Sequence, residues 1–162
     1  MLFHVSNEAD NPRHVATELA DILGGEAAPF PPVGEGSWVA LAGDDRGTMI
    51  EVYPRGTEMH MAPGEEDAVG IRREKRRHGP THIAIATKLD MPDIFLLANR
   101  EGWAVKYCRR GGQFGVIELW VENCLLVEVL TPEMQREYLD SVTIPNWRNM
   151  VAAFEARLPK AA

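Results

Sequence analysis

The chain reads as an α+β fold of two βαβββ modules followed by a helical extension. Three observations predict it. An order of short β-like runs around one amphipathic helix occurs over residues 1–54 and again over 80–132. Each copy opens on a run with a His and closes on a run with a Glu: His4 and Glu51 are 47 residues apart, His82 and Glu128 46. Each copy's helix stops at a glycine 20 residues after its His, at Gly24 and at Gly102. Recurrence at a fixed spacing marks a duplicated structural unit and sets the architecture before any local assignment.

The elements follow in order. Leu2 to Ser6 has the pattern of a strand. Asp10-Asn11-Pro12 starts a helix, with a side chain able to cap the first turn and a proline where no N–H is needed. Val15, Leu19, Ile22 and Leu23 recur at helical spacing and form its apolar face. Ala27 to Phe30 is a short edge strand, since Pro29, Pro31 and Pro32 cannot all sit in a central one. Trp38 to Ala42 and Thr48 to Tyr53 form a hairpin about Gly43 to Gly47.

The second copy repeats that order. His82 to Thr87 is a strand, and Asp90 or Met91 precedes Pro92 at a helix start. Ile94, Leu97 and Ala98 form the helix face. Trp103 to Cys108 is a strand, and Phe114 to Val121 with Cys124 to Leu130 is a hairpin turning at Glu122-Asn123. Residues 55–79 form a linker containing a loop-like stretch about Pro63-Gly64 and a basic run, Ile71 to His78. That run is a solvated face or a site for an acidic group. Residues 133–162 form a tail with helices over 133–140 and 146–157. Trp147, Val151, Phe154 and Leu158 share a face that should pack on the sheet or on a second subunit.

Bulk properties narrow the function classes. With 162 residues, 45% apolar and 25% charged, the composition is that of a globular protein. A net charge of −7 argues against a general nucleic-acid binder. No apolar run reaches the roughly 18 residues of a membrane-spanning helix. Nothing at the N-terminus reads as a signal peptide. The two cysteines, Cys108 and Cys124, lack metal-motif spacing and read as reduced thiols of a cytoplasmic protein.

Alternation along the strands sorts side chains by face. His4 and Ser6 oppose Phe3 and Val5; Met49, Glu51 and Tyr53 oppose Ile50 and Val52. His82, Ala84 and Ala86 oppose Ile83 and Ile85; Leu126, Glu128 and Leu130 oppose Val127 and Val129. The His and Glu of both copies therefore fall on the face away from the helices. Carboxylates there need water, a counter-charge or a metal ion. Two imidazoles and two carboxylates form a donor set for one divalent metal: Zn, Ni, Mn, Co or Fe.

On these residues the chain resembles the vicinal oxygen chelate superfamily, the group of glyoxalases, bleomycin-resistance proteins and extradiol dioxygenases. The resemblance covers residues 2–132. It implies two βαβββ modules whose sheets form a cup around a metal. Phe3-His4-Val5, Ile50-Glu51-Val52, Thr81-His82-Ile83 and Val127-Glu128-Val129 would supply the metal ligands. The order His, Glu, His, Glu is similar to the glyoxalase I branch, which implies a lyase or isomerase with a Glu, Glu128 or else Glu51, as general base. Tyr53, Trp38 and Met49 would line the apolar part of the pocket, and Arg109 or the Arg72 to Arg77 run would hold a substrate anion. The resemblance also implies a homodimer. The basic linker and the C-terminal extension depart from the glyoxalase I pattern. Three alternatives stand beside that reading: a metal-free, resistance-type small-molecule binder, a dioxygenase-like oxygenase, and a scaffold role carried by the C-terminal helices.

Overall fold

The structure, a computed structural model, describes residues 3–30, 34–63, 66, 68–78 and 81–155. The first module runs β1 (His4–Ala9), α1 (Pro12–Leu23), β2 (Glu26–Pro29), β3 (Trp38–Leu41) and β4 (Met49–Pro54). A two-stranded piece follows, β5 (Thr57–His60) and β6 (Val69–Arg72). The second module runs β7 (His82–Ala86), α2 (Met91–Glu101), β8 (Ala104–Arg110), β9 (Phe114–Val121) and β10 (Leu125–Leu130). Helices α3 (Pro132–Ser141) and α4 (Ile144–Glu155) end the described chain. The fold is α+β with two βαβββ modules, as the repeat implied.

Hydrogen bonding groups the module strands into two four-stranded mixed sheets, in the orders β1-β4-β3-β2 and β7-β10-β9-β8. In each, the opening strand lies parallel to the closing strand and the remaining pairs are antiparallel. The repeat extends to register. Glu51 pairs with Ser6 and Glu128 with Ala84, so each His sits two residues before its Glu's cross-strand partner.

Local chemistry explains the helix ends. The Asn11 side-chain oxygen Oδ1 accepts from the His14 N–H at 3.3 Å. Asp90 and Asp93 satisfy each other's backbone donors in a capping box. Gly24 and Gly102 adopt φ of 74° and 67°, the left-handed conformation that closes a helix. The β9–β10 turn holds Glu122 and Asn123 at φ 50° and 55°, in a three-residue connection closed by the Cys124 N–H on the Val121 carbonyl at 3.1 Å.

Both modules contribute to one core. Val15, Leu19 and Ile22 of α1 and Ile94 and Leu97 of α2 are buried with Ile50, Val52, Ile117, Leu119, Val127 and Val129 of the sheets. Polar contacts join the modules around it. Glu122 accepts from the backbone N–H groups of Asp10 and Asn11 and from Arg55, and the Thr87 hydroxyl donates to the Ile22 carbonyl.

Two expectations change. The residue 55–79 segment holds the β5–β6 hairpin, in which Met59 pairs with Gly70 and Glu58 with Ile71. Helix α4 does not lay its apolar face on a sheet: Ile144, Trp147, Met150 and Val151 are exposed. Helix α3 does pack, placing Met134 in the core and the Tyr138 ring edge-on to Phe114 at 5.0 Å. The expected apolar positions at Phe154 and Leu158 lie outside what the structure describes of side chains. Both cysteines are free thiols.

Candidate functional site

The faces of β1, β4, β7 and β10 that carry the two His and two Glu are those turned away from the buried valines and isoleucines. His4 and His82 are exposed, as are Ala84 and Ala86 beside His82. Both His line one groove of about 790 Å³ between β1 and β7, together with Phe3, Met49 and Ala84. Small side chains leave room there, and the volume falls within the range of ligand pockets.

The two Glu are engaged differently. Glu51 is buried, at 7% exposure, and accepts from the Ser6 hydroxyl at 2.8 Å and from the Tyr53 hydroxyl. Phe30 stacks on the Tyr53 ring at 6.4 Å. Burial, together with donation to Glu51, pushes the Tyr53 phenol up to about 12. Glu128 forms an ion pair with the Arg110 guanidinium, whose Nε lies 3.1 Å from the same carboxylate oxygen. Arg110 also reaches Glu118 at 2.8 Å, and Lys106 holds the other Glu118 oxygen at 3.0 Å. Burial works to raise the Glu118 carboxyl. Hydrogen bonds from Lys106, Arg110 and Cys108 outweigh it and hold the group below its ordinary value.

The four expected ligands are thus on the right faces but are not gathered. Among the described residues, the one group of three or more metal-ligating atoms lying within 4.8 Å of one another is His14, Glu18 and Glu101, between α1 and α2. There the His14 Nε2 is 2.6 Å from Glu101, and Arg100 bonds Glu101 at 2.7 Å and also pairs with Glu18. Arg100 bridges the two carboxylates, so the cluster works as an ionic link between the modules. The bond from Arg100, with His14 beside it, holds the Glu101 carboxyl below its ordinary value. Burial holds Glu18 above its ordinary value in spite of Arg100.

Two expected pocket residues are placed elsewhere. Trp38 pairs with Val52, which puts its ring on the helix side of the sheet, where the Arg13 guanidinium lies 5.2 Å from its centre. Arg109 bonds Glu137 of α3, the Tyr107 hydroxyl and the Gly112 and Gln113 carbonyls, away from Glu128. Its neighbour Arg110 has the opposite parity and is the arginine on the Glu128 face. Alternation from Glu118 across the β8–β9 hairpin was the available signal for Arg110, since Lys106 pairs with Glu118 and Arg110 with Phe114. Met49 is in the groove as expected, and Tyr53 lines a neighbouring smaller cavity.

No family model matches the sequence, and no curated protein matches it. Similar solved structures include a trypanothione-dependent glyoxalase I of Leishmania major, 13% identical at a TM-score of 0.48, covering 94% of this chain and 98% of that one. An integron cassette protein of V. cholerae is 15% identical at 0.43, covering 80% and 94%. Another, from V. pseudocholerae, is 16% identical at 0.43, covering 80% and 93%. The likeness is loose, and the fold assignment rests on the strand order and register of the two modules themselves.

Proposed function

We propose that this chain is a small-molecule-binding protein of the vicinal oxygen chelate type, taking its ligand in the groove between β1 and β7 without a resident metal. The observation that carries the reading is the Arg110–Glu128 ion pair. The guanidinium sits on one Glu128 oxygen, offsets the carboxylate's charge and places a fixed positive group beside it, which disfavours a second cation there. Glu51 accepts from two hydroxyl donors on one of its oxygens, which fixes its orientation. The donor chemistry of His4, Glu51, His82 and Glu128 suits a divalent ion, but among the described residues no three of their ligand atoms lie within 4.8 Å of one another, so the set as placed does not fit one.

A second reading has its own support. The matching register of the two His–Glu pairs and the shared groove of His4 and His82 favour a metal-dependent, glyoxalase-like lyase or isomerase. In that reading the same four residues hold Zn, Ni, Mn, Co or Fe, and Glu128 or Glu51 is the base. A homodimer and a cytoplasmic setting belong to both readings; no described helix is long and apolar enough to cross a membrane.

Elemental analysis of the purified protein by mass spectrometry, after incubation with each of the five metals, separates the two. Less than about 0.1 equivalent bound, with or without Arg110→Ala, supports the metal-free binder. Near one equivalent in the unaltered protein, lost in His82→Ala, sinks it.

A further inference from the structure

Helix α4 shows two different sides. The Asn146 side-chain nitrogen donates to the Asp140 and Ser141 carbonyls at the end of α3, at 3.1 Å each, which fixes how the helix is turned. Asn146, Asn149, Met150 and Ala153 recur at helical spacing and line a cleft of about 690 Å³ with Gly111 and Gln113 of the β8–β9 turn. That side faces the body of the molecule. At about 100° per residue, Ile144, Trp147 and Val151 form a separate stripe. They are 70%, 58% and 40% exposed. Leu139 and Val142, just before α4, are exposed as well. An apolar stripe left open along a helix marks an interaction surface.

Spacing and charge say what covers it. Ile144, Trp147 and Val151 stand three and then four residues apart, and in sequence Phe154 and Leu158 continue the alternation. This is the spacing with which one helix packs along another. Between Ile144 and Phe154 the one charged residue is Arg148, and Glu155 follows it by seven positions. Seven residues is close to two turns, so both positions fall on one flank of the stripe. A second copy of α4 running the opposite way brings the Glu155 position of each helix to Arg148 of the other, twice about one two-fold axis. A parallel copy sets like charge beside like.

We propose that α4 is a homodimer interface, in which the Ile144, Trp147 and Val151 stripes of two copies pack antiparallel with Arg148 of each copy at the Glu155 position of the other. This gives the homodimer of both readings above a specific interface. It uses no residue of the groove between β1 and β7, so it stands whatever that groove binds.

Sedimentation velocity of the full chain over about 1–200 µM tests this. The unaltered protein should show a concentration-dependent dimer. Trp147→Glu/Val151→Glu should be monomeric throughout and keep a cooperative unfolding transition, because both side chains are exposed. Arg148→Glu and Glu155→Arg should each weaken the dimer about tenfold or more, since like charges then meet at both ends of the pair. An equimolar mixture of these two variants should dimerise more tightly than either alone, because both ends of the mixed pair join opposite charges. A monomer at every concentration overturns the proposal and leaves the stripe to a different protein. A dimer that Trp147→Glu/Val151→Glu leaves intact overturns it too, and puts the homodimer interface elsewhere. A mixture no tighter than its components overturns the antiparallel pairing.

Discussion

Glu51 and Glu128 occupy the same place in the two modules, yet they are held by different physics. Glu51 is buried and neutral donors satisfy it, the Ser6 and Tyr53 hydroxyls. Glu128 is partly exposed and a cation satisfies it, in a ladder that runs Glu128, Arg110, Glu118, Lys106 across three strands. The backbone repeat has been kept to the level of strand register, while the side chains around it have diverged. A duplicated fold therefore specifies where a carboxylate stands but not what it does.

The sharpest way to break the comparison is to remove each carboxylate in turn. Glu51→Leu leaves the buried Tyr53 hydroxyl and the half-buried Ser6 hydroxyl without their carboxylate and should cost about 2–4 kcal/mol in urea unfolding. Glu128→Leu leaves Arg110 still paired with Glu118, and the pair is partly solvated, so about 1 kcal/mol or less is expected. Equal losses would mean that the two environments are energetically alike.

The pH dependence should differ in direction. The Tyr53 phenol is raised in the fold to about 12 from an ordinary 10.0. Its contribution is fully present below pH 10 and is lost as pH rises towards about 12. The Glu118 carboxyl is lowered from an ordinary 4.5. Its contribution is present above that value and is lost as pH falls through the depressed one. Tyr53→Phe should flatten the alkaline limb of a stability–pH profile and Glu118→Gln the acid limb. An alkaline limb unchanged in Tyr53→Phe would remove Tyr53 as its source.

The smallest expected contrast lies at the helix starts. Asp90→Ala breaks a reciprocal capping box and should cost about 1 kcal/mol. Asn11→Ala loses one longer bond, 3.3 Å, and should cost about 0.5 kcal/mol. Differential scanning calorimetry on the two variants checks the order.

What was legible before the structure was mostly local. The glycine stops at Gly24 and Gly102, the cap at Asp90 and the turn at Glu122-Asn123 each depend on a few adjacent residues, and each was found where the pattern put it. The separation of His4 and Glu51 from Ile50 and Val52 also needs only alternation along a strand. Arg109 and Trp38 were misplaced for one reason. Alternation gives two faces to each strand, but only pairing with a neighbour says which face of one strand continues which face of the next. Trp38 lies opposite Val52 and so belongs to the helix side. Arg110, not Arg109, shares the Glu118 face. The β5–β6 hairpin was hidden because its strands carry few large apolar side chains, Met59 in one and Val69 and Ile71 in the other, too few for a period to stand out from the basic run beside them.

By itself the chain determined the duplicated βαβββ order, the helix boundaries and the side of each sheet on which the His and Glu stand, because these follow from capping, turn chemistry and strand periodicity. Tertiary structure alone decided what each of those groups touches. It set Arg110 against Glu128, Tyr53 against Glu51, and Arg100 between Glu18 and Glu101. Those contacts join residues from 1 to 82 positions apart, and charge and hydrogen-bond partners are chosen by distance in space, which no spacing along the chain encodes.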